Sequence, residues 1–380
     1  MKIAFFTSSL GDTDLAKATI AQLIELGVKN TLFIVPLTAA AATRTEEYVG
    51  HQQISRLTLA EILSQPDALS KKRLSEEDLA KIAQFVKAQG IQRAFIGVTS
   101  VIDAEAPFQI AQSLNIPCTI AYEYMFKPVP HAFWGHVPHL AVKPHCQFAV
   151  PLKKAAEDIL SINSKASVSI VGHLCIDRAQ IKSNFDKAPI KHAIKVDPDE
   201  ELAFISGTTQ PIDVDNQFID ALLFELSKKE YPNLQIRFGL HPGISDPTLY
   251  LQTLLKTCAK YPLAEKQFKI ILTTPMEKKL LNPELKEHPF ILRAETSGAD
   301  MSQAADRVAQ AVPGALLNES ALAGKPSYFH VKTTTPYLPE HWFSESITTF
   351  FTDKPQLLRD PKELELKEPS PPCMMKLMLK

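Results

Sequence analysis

What most constrains this chain is an alternation met twice along it: a short apolar run, a polar turn, then a stretch with helical spacing. That order signals parallel α/β structure. A parallel strand covered on both faces reads as a continuous apolar run, and its crossover to the next strand is usually a helix. The first series opens with Lys2-Ile3-Ala4-Phe5-Phe6, the turn Ser8-Ser9-Leu10-Gly11-Asp12, and a helix through about Leu26. Further strands are predicted at 30–35, 93–98, 117–121, 147–150 and 168–171, with helices at 75–89, 107–114 and 152–162. Ser75 can cap the first of these helices, Glu76, Glu77 and Asp78 suit its dipole, and Gly90 ends it. The second series predicts strands at 202–206, 234–238, 268–273, 290–293, 307–311 and 327–331, with the clearest helices at 216–229, 247–260 and 314–323.

At 380 residues the chain is too long for one ordinary core, so each series is read as one Rossmann-like α/β domain. The expected division is an N-terminal domain over 1–177, a linker over 178–200 and a second domain over 201–335. Helices over 336–366 then cross back to the first domain, with Trp342 and Phe343 at the junction, and 367–380 is a flexible tail. That tail ends basic and Met-rich. A frayed terminus is the expectation, and weak contact with a membrane surface is the other use for such an end.

Apolar residues make up 45% and charged residues 22%, as in an ordinary folded protein. The net charge of −1, with no long basic run, argues against a nucleic-acid partner. The cysteines Cys118, Cys146, Cys175, Cys258 and Cys373 are odd in number and form no CxxC pair, which suits a reducing compartment. Neither a signal peptide nor a spanning segment of about twenty apolar residues is evident, so a cytoplasmic location is expected.

The strongest local signal runs from Val312 to Pro326, VPGALLNESALAGKP, ahead of the strand Ser327-Tyr328-Phe329-His330. A strand ends at proline and glycine, a helix begins at Gly314, and Gly324 stops it. Amides in the first turn of a helix have no intrahelical acceptor and form a ready anion site, while Glu319 lies where a carboxylate can meet ribose hydroxyls. The spacing glycine, five residues to glutamate, five to glycine, then Lys-Pro resembles the donor domain of GT-B glycosyltransferases. It is similar to lipid-A-disaccharide synthase and to the non-hydrolysing UDP-N-acetylglucosamine 2-epimerases. Gly314, Glu319, Gly324 and Pro326 stand at the matching positions. The resemblance implies a ribose-binding role for Glu319, with Gly314 and Ala315 beside the diphosphate. The family commonly has Ser or Thr where this chain has Ala315.

Arg237-Phe238-Gly239-Leu240-His241-Pro242-Gly243 puts a His-Pro at the carboxyl end of a strand, where open α/β sheets bind ligands. Bacterial sialyltransferases, teichoic-acid-type glycerophosphotransferases and the 2-epimerases carry a similar strand-His-Pro, which makes His241 and Pro242 donor-site candidates. Gly207, Thr208 and Thr209 follow the first strand of the same domain, where a small polar loop can approach phosphates. In the first domain Ser8, Ser9 and Gly11 occupy the acceptor loop of the GT-B pattern. Asn115-Ile116-Pro117, then Tyr122-Glu123, is similar to that family's Ile-Pro, strand, Glu segment. An inverting transfer needs a group to remove the acceptor hydroxyl's proton, and Asp12, Glu105 and Glu123 are the candidates.

His131, His136, His139 and His145 lie in a segment rich in aromatics and proline, read as an acceptor-facing loop. Their spacing does not give the paired ligands of short zinc motifs. Asp12-Thr13-Asp14 and Asp213-Val214-Asp215 match an Asp-x-Asp metal motif that belongs to a different glycosyltransferase fold, so no metal and no cofactor is expected. The resulting expectation is a metal-independent, inverting transferase that moves a sugar from a nucleotide-sugar to a hydroxyl of a glycan, lipid or protein. The alternatives are a 2-epimerase-like isomerase, whose family typically places an arginine in the first loop where Ser8 to Asp14 has none, and a non-catalytic binding module.

Overall fold

The computed structural model describes residues 1–27, 32–99, 101–128, 131–174, 185–208, 212–228, 231–244, 246–331, 334–338, 342–345, 347–352 and 370–379. The chain forms two compact units. One comprises Met1–Asp177 with Glu365–Lys380, the other Arg178–Leu364. Among the described residues no helix is long and apolar enough to cross a membrane.

The first unit contains β1 (Ile3–Thr7), β2 (Leu32–Pro36), β3 (Ile54–Arg56), β4 (Arg93–Gly97), β5 (Cys118–Ala121), β6 (Phe126–Pro128), β7 (Cys146–Val150) and β8 (Val168–Ile170). Seven of them make one parallel sheet in the order β3-β2-β1-β4-β5-β7-β8, and β6 stands outside it. Every residue of β1 is buried, as a strand covered on both faces requires. The chain runs outward from β1 to β3 and returns on the other side with β4. The carboxyl ends of β1 and β4 are therefore a topological switch point, the usual place for a ligand crevice.

The second unit repeats the plan with β9 (Glu201–Ser206), β10 (Leu234–Gly239), β11 (Phe268–Leu272), β12 (Ile291–Arg293), β13 (Arg307–Gln310) and β14 (Ser327–Phe329). Their order is β12-β11-β10-β9-β13-β14, all parallel, and the switch point lies between β9 and β13. Gly239 and Gln310 both pair with Ser206, so the turns after β10, β9 and β13 leave the same edge side by side.

Four expectations need correction. The tail is not flexible over 370–379: it forms the helix Ser370–Leu379, and Met374, Leu377 and Met378 are buried with Ile3, Phe5, Leu15 and Ile20 in the first unit's core. Their spacing of three and four residues puts all three on one helical face. Shortening Met374 to alanine should therefore cost about 2–5 kcal/mol in urea unfolding, where a frayed tail gives no change.

The segment read as a linker contains the helix Ala188–Ala193, and Ile190, Ile194 and Val196 pack into the second unit's core; residues 175–184 lie outside the described residues. Of the helices read as crossing back, Ile347–Thr352 packs within the second unit. There Phe350 meets Tyr328, Phe351 stacks on Tyr231, and Phe343 meets Phe329. The stretch 353–369 lies outside the described residues.

The proline-rich loop contains the helix Ala132–Ala141. His131 caps it, and Phe133, Val137 and Leu140 are buried at i, i+4 and i+7 despite Pro138 inside. Phe133 stacks on Tyr122, with ring centroids 4.9 Å apart, so it is core and not a sugar platform.

Candidate functional site

At the first unit's switch point the turn after β1 starts the helix Leu10–Glu25, with Ser9 as its N-cap. Asp12 closes a capping box: its carboxylate accepts the Ser8 amide at 2.9 Å and the Ser9 amide at 2.7 Å, while its own amide donates to Ser9 Oγ. Asp12 is completely buried against the end of β4, where a Cβ on Gly97 would stand 2.0 Å from Asp12 Oδ2. Glycine at the strand end is what admits the carboxylate. Burial outweighs the amide donors and pushes the Asp12 carboxyl up to about 7.

Glu123 arrives from the turn after β5. Its Oε1 accepts Ser9 Oγ–H at 3.0 Å, and a Cβ on Gly11 would fall 2.2 Å from its Oε2. Burial holds its carboxyl well above the ordinary carboxylate range, and the nearby charges of Asp12 and Asp14 add to that.

The structure thus brings Ser8, Ser9, Gly11, Asp12 and Glu123 together. It also sorts them. Asp12 is sealed in the cap and orients the turn, whereas Glu123 is partly exposed and titratable. Glu105 takes different partners: its carboxylate is 3.3 Å from Arg73 Nε and 4.0 Å from His136 Nε2.

In the second unit Gly207 donates its amide to Gly239 O at 2.8 Å, and a Cβ on it would meet Phe238, Gly239 O and the His241 amide within 3.4 Å. The turns after β9 and β10 are therefore in direct contact. Thr208 directs both its amide (2.9 Å) and its hydroxyl (3.3 Å) to Asp215, a fully buried carboxylate that also accepts Tyr250 Oη–H. Thr208 thus ties the turn after β9 to Asp215. In the sequence Asp215 stands out only as half of an Asp-x-Asp pair, and no short-range signal links it to Thr208. Thr209 lies outside the described residues.

His241 Nδ1 accepts the Gly243 amide at 3.0 Å, and burial lowers its pKa. The ring is then neutral with its proton on Nε2, a donor suited to a phosphate oxygen. Pro242 is exposed beside it.

After β13, Gly314 is the N-cap of the helix Ala315–Leu322, with no side-chain cap, and Ala315 is exposed. Glu319 is 4% exposed, one turn inside. Gly324 closes the helix at φ 74°, a left-handed conformation that favours glycine. Lys325 then turns back and donates to the carbonyls of Ser302, Gln303 and Ala305, capping the helix Gly298–Ala304; burial pushes its ammonium down to about 7. The Gly-Lys-Pro element thus locks the helix Ala315–Leu322 onto its neighbour.

No family model matches the chain, and no curated protein matches it. Solved structures do. The Methanocaldococcus jannaschii UDP-GlcNAc 2-epimerase in complex with UDP-GlcNAc and UDP aligns over 100% of this chain and 99% of its own, with a TM-score of 0.58 at 12% identity. Acinetobacter baumannii MurG aligns over 100% and 99%, with a TM-score of 0.53 at 12% identity. A glycosyltransferase from Rickettsia africae covers 86% of this chain and 78% of its own, with a TM-score of 0.53 at 11% identity. The fold is therefore the α/β architecture these solved structures share, two parallel-sheet units in one chain.

Proposed function

We propose that this protein is a glycosyltransferase of the GT-B type, metal-independent and inverting, with a nucleotide-sugar as donor. One observation carries the reading: both switch points bear polar groups, a titratable carboxylate in the first unit, and in the second an anion-suited helix terminus after β13 and a neutral His241 after β10, at the same end of the sheet. Glu123 removes the proton of an acceptor hydroxyl as its oxygen attacks the anomeric carbon. The bond from that carbon to the diphosphate oxygen breaks, and the nucleoside diphosphate leaves with the electron pair. His241 Nε2–H and the helix amides after Gly314 stabilise its charge, the work a divalent ion does elsewhere. Glu319 holds the ribose.

A 2-epimerase-like isomerase is the second reading. The likeness to a 2-epimerase supports it, because proton exchange at a sugar carbon also needs a titratable group such as Glu123. Incubation with a panel of nucleotide-sugars separates the readings. Released nucleotide indicates transfer or hydrolysis, a new nucleotide-sugar indicates isomerisation, and thermal stabilisation without turnover indicates a binding module.

A thermal-shift screen of uridine, cytidine, guanosine and thymidine diphosphates should find at least one that raises the melting temperature. Glu319→Ala should remove most of that rise. Equal shifts in both proteins would remove Glu319 from the site.

A further inference from the structure

Gln310 is the last residue of β13, a strand whose Val308 and Ala309 are wholly buried and apolar. Gln310 is 5% exposed, yet its Oε1 has no hydrogen-bond partner. A buried acceptor without a donor carries its desolvation cost uncompensated, so natural proteins rarely keep one without use.

The carboxamide lies against the start of the Gly314 helix. A Cβ on Gly314 would come within 2.9 Å of Gln310 Oε1 and 3.3 Å of its Nε2, so the carboxamide sits directly over the N-cap. Across Gly314, Asn318 Nδ2 donates to the Gly314 carbonyl at 3.1 Å, and Asn318 Oδ1 also lacks a partner. Two acceptor oxygens without donors thus flank a helix terminus whose Leu316 and Leu317 amides have no intrahelical acceptor.

An anion alone cannot match this arrangement, because phosphate oxygens offer no proton to an acceptor. A ligand that carries hydroxyl groups next to a phosphate can satisfy both. We propose that Gln310 is a specificity-determining residue that accepts a hydrogen bond from a hydroxyl of the bound nucleotide-sugar, whose phosphate takes the helix amides after Gly314. This rests on the reading of that helix terminus as the nucleotide-sugar site. In a chain with Ala315 where the resembling family carries a hydroxyl side chain, polar recognition at this turn comes instead from the end of β13.

The test is titration calorimetry of the wild type and Gln310→Met. The probes are the uridine, cytidine, guanosine and thymidine diphosphates, their glucose esters, and UDP-GlcNAc. Gln310→Met keeps the length of the side chain and removes its polar atoms. It should weaken the tightest nucleotide-sugar about tenfold, as the loss of one hydrogen bond does, while the melting temperature of the free protein does not fall. A loss shared by the free diphosphate assigns the hydroxyl to ribose; a loss confined to the nucleotide-sugar assigns it to the transferred sugar. Either outcome supports the proposal. Unchanged affinities for every probe overturn it and leave the site reading standing. A wild type that binds none of the probes overturns the site reading and the proposal with it. Should Gln310→Met not fold, Gln310→Glu serves: a carboxylate beside the phosphate should weaken binding by more than tenfold, and unchanged affinity again overturns the proposal.

Discussion

Replacing Gly97 with alanine is expected to destabilise the first unit by about 2–5 kcal/mol, the combined scale of overpacking a core and losing a helix cap. The new Cβ would stand 2.0 Å from Asp12 Oδ2, 2.5 Å from Cγ and 2.6 Å from Asp12 Cβ. These are not the far atoms of a long side chain. Asp12 is short, fully buried and held by the Ser8 and Ser9 amides, so it can yield only by leaving the capping box. Two buried amides would then be orphaned together with the carboxylate.

Urea unfolding measures the cost, and two further glycines calibrate it. At Gly135, in the helix Ala132–Ala141, an added Cβ meets nothing within 4 Å, so alanine there should be neutral or stabilise by up to about 1 kcal/mol. At Gly11 the Cβ would meet only the carboxylate end of Glu123, which can swing, so activity should suffer more than stability. A Gly97→Ala protein as stable as the wild type would mean that Asp12 is not held as described.

The same turn shows which features a sequence discloses. β1 and β9 were legible because a strand buried on both faces leaves a continuous apolar run, and the helix after Gly314 was legible from its two bounding glycines. β3 was not, since Ile54-Ser55-Arg56 offers one buried residue. The helix at 132–141 and the terminal helix were hidden by prolines, whose turn-forming signal masked an apolar face with helical spacing.

Site residues divide in the same way. Ser9 and Asp12 are three positions apart, and a capping box is a local pattern. Glu123 reaches Ser9 across 114 positions, and nothing short of the strand order β1-β4-β5 brings them together. Asp215 stands out in the sequence only as half of an Asp-x-Asp pair: its pairing with Thr208 and Tyr250 depends on one turn and two helices meeting. Gln310 gave no sequence signal, because a lone glutamine at a strand end becomes notable only once its burial is known.

Glu123→Gln should lower kcat/KM by about 10²–10⁴-fold, the range for removing a general base, while making the protein more stable at alkaline pH. The sign follows from the direction of its shift. Its carboxyl titrates above the ordinary glutamate value of 4.5, chiefly through burial and then through the charge of Asp12. A carboxyl raised in the folded state binds its proton more tightly there than in the unfolded chain. Its stabilising contribution is therefore complete below pH 4.5 and is lost as pH rises through the folded value. Asp12 acts in the same sense between 3.8 and about 7. Glutamine has no proton to lose, so the variant's stability should decline less with pH than the wild type's. Activity runs the other way. The base must be ionised, so wild-type kcat/KM should rise with pH through the raised Glu123 value, and Glu123→Gln should abolish that limb. Asp12→Asn removes one negative neighbour, eases ionisation of Glu123, and should move the limb to lower pH. A residue that merely held the turn in shape would lose stability and activity together. Loss of turnover with a gain in alkaline stability is the signature of a group strained for chemistry. A wild-type limb in the ordinary carboxylate range, or full activity in Glu123→Gln, would assign the base elsewhere, and the next candidate is Glu105 in its pairing with Arg73 and His136.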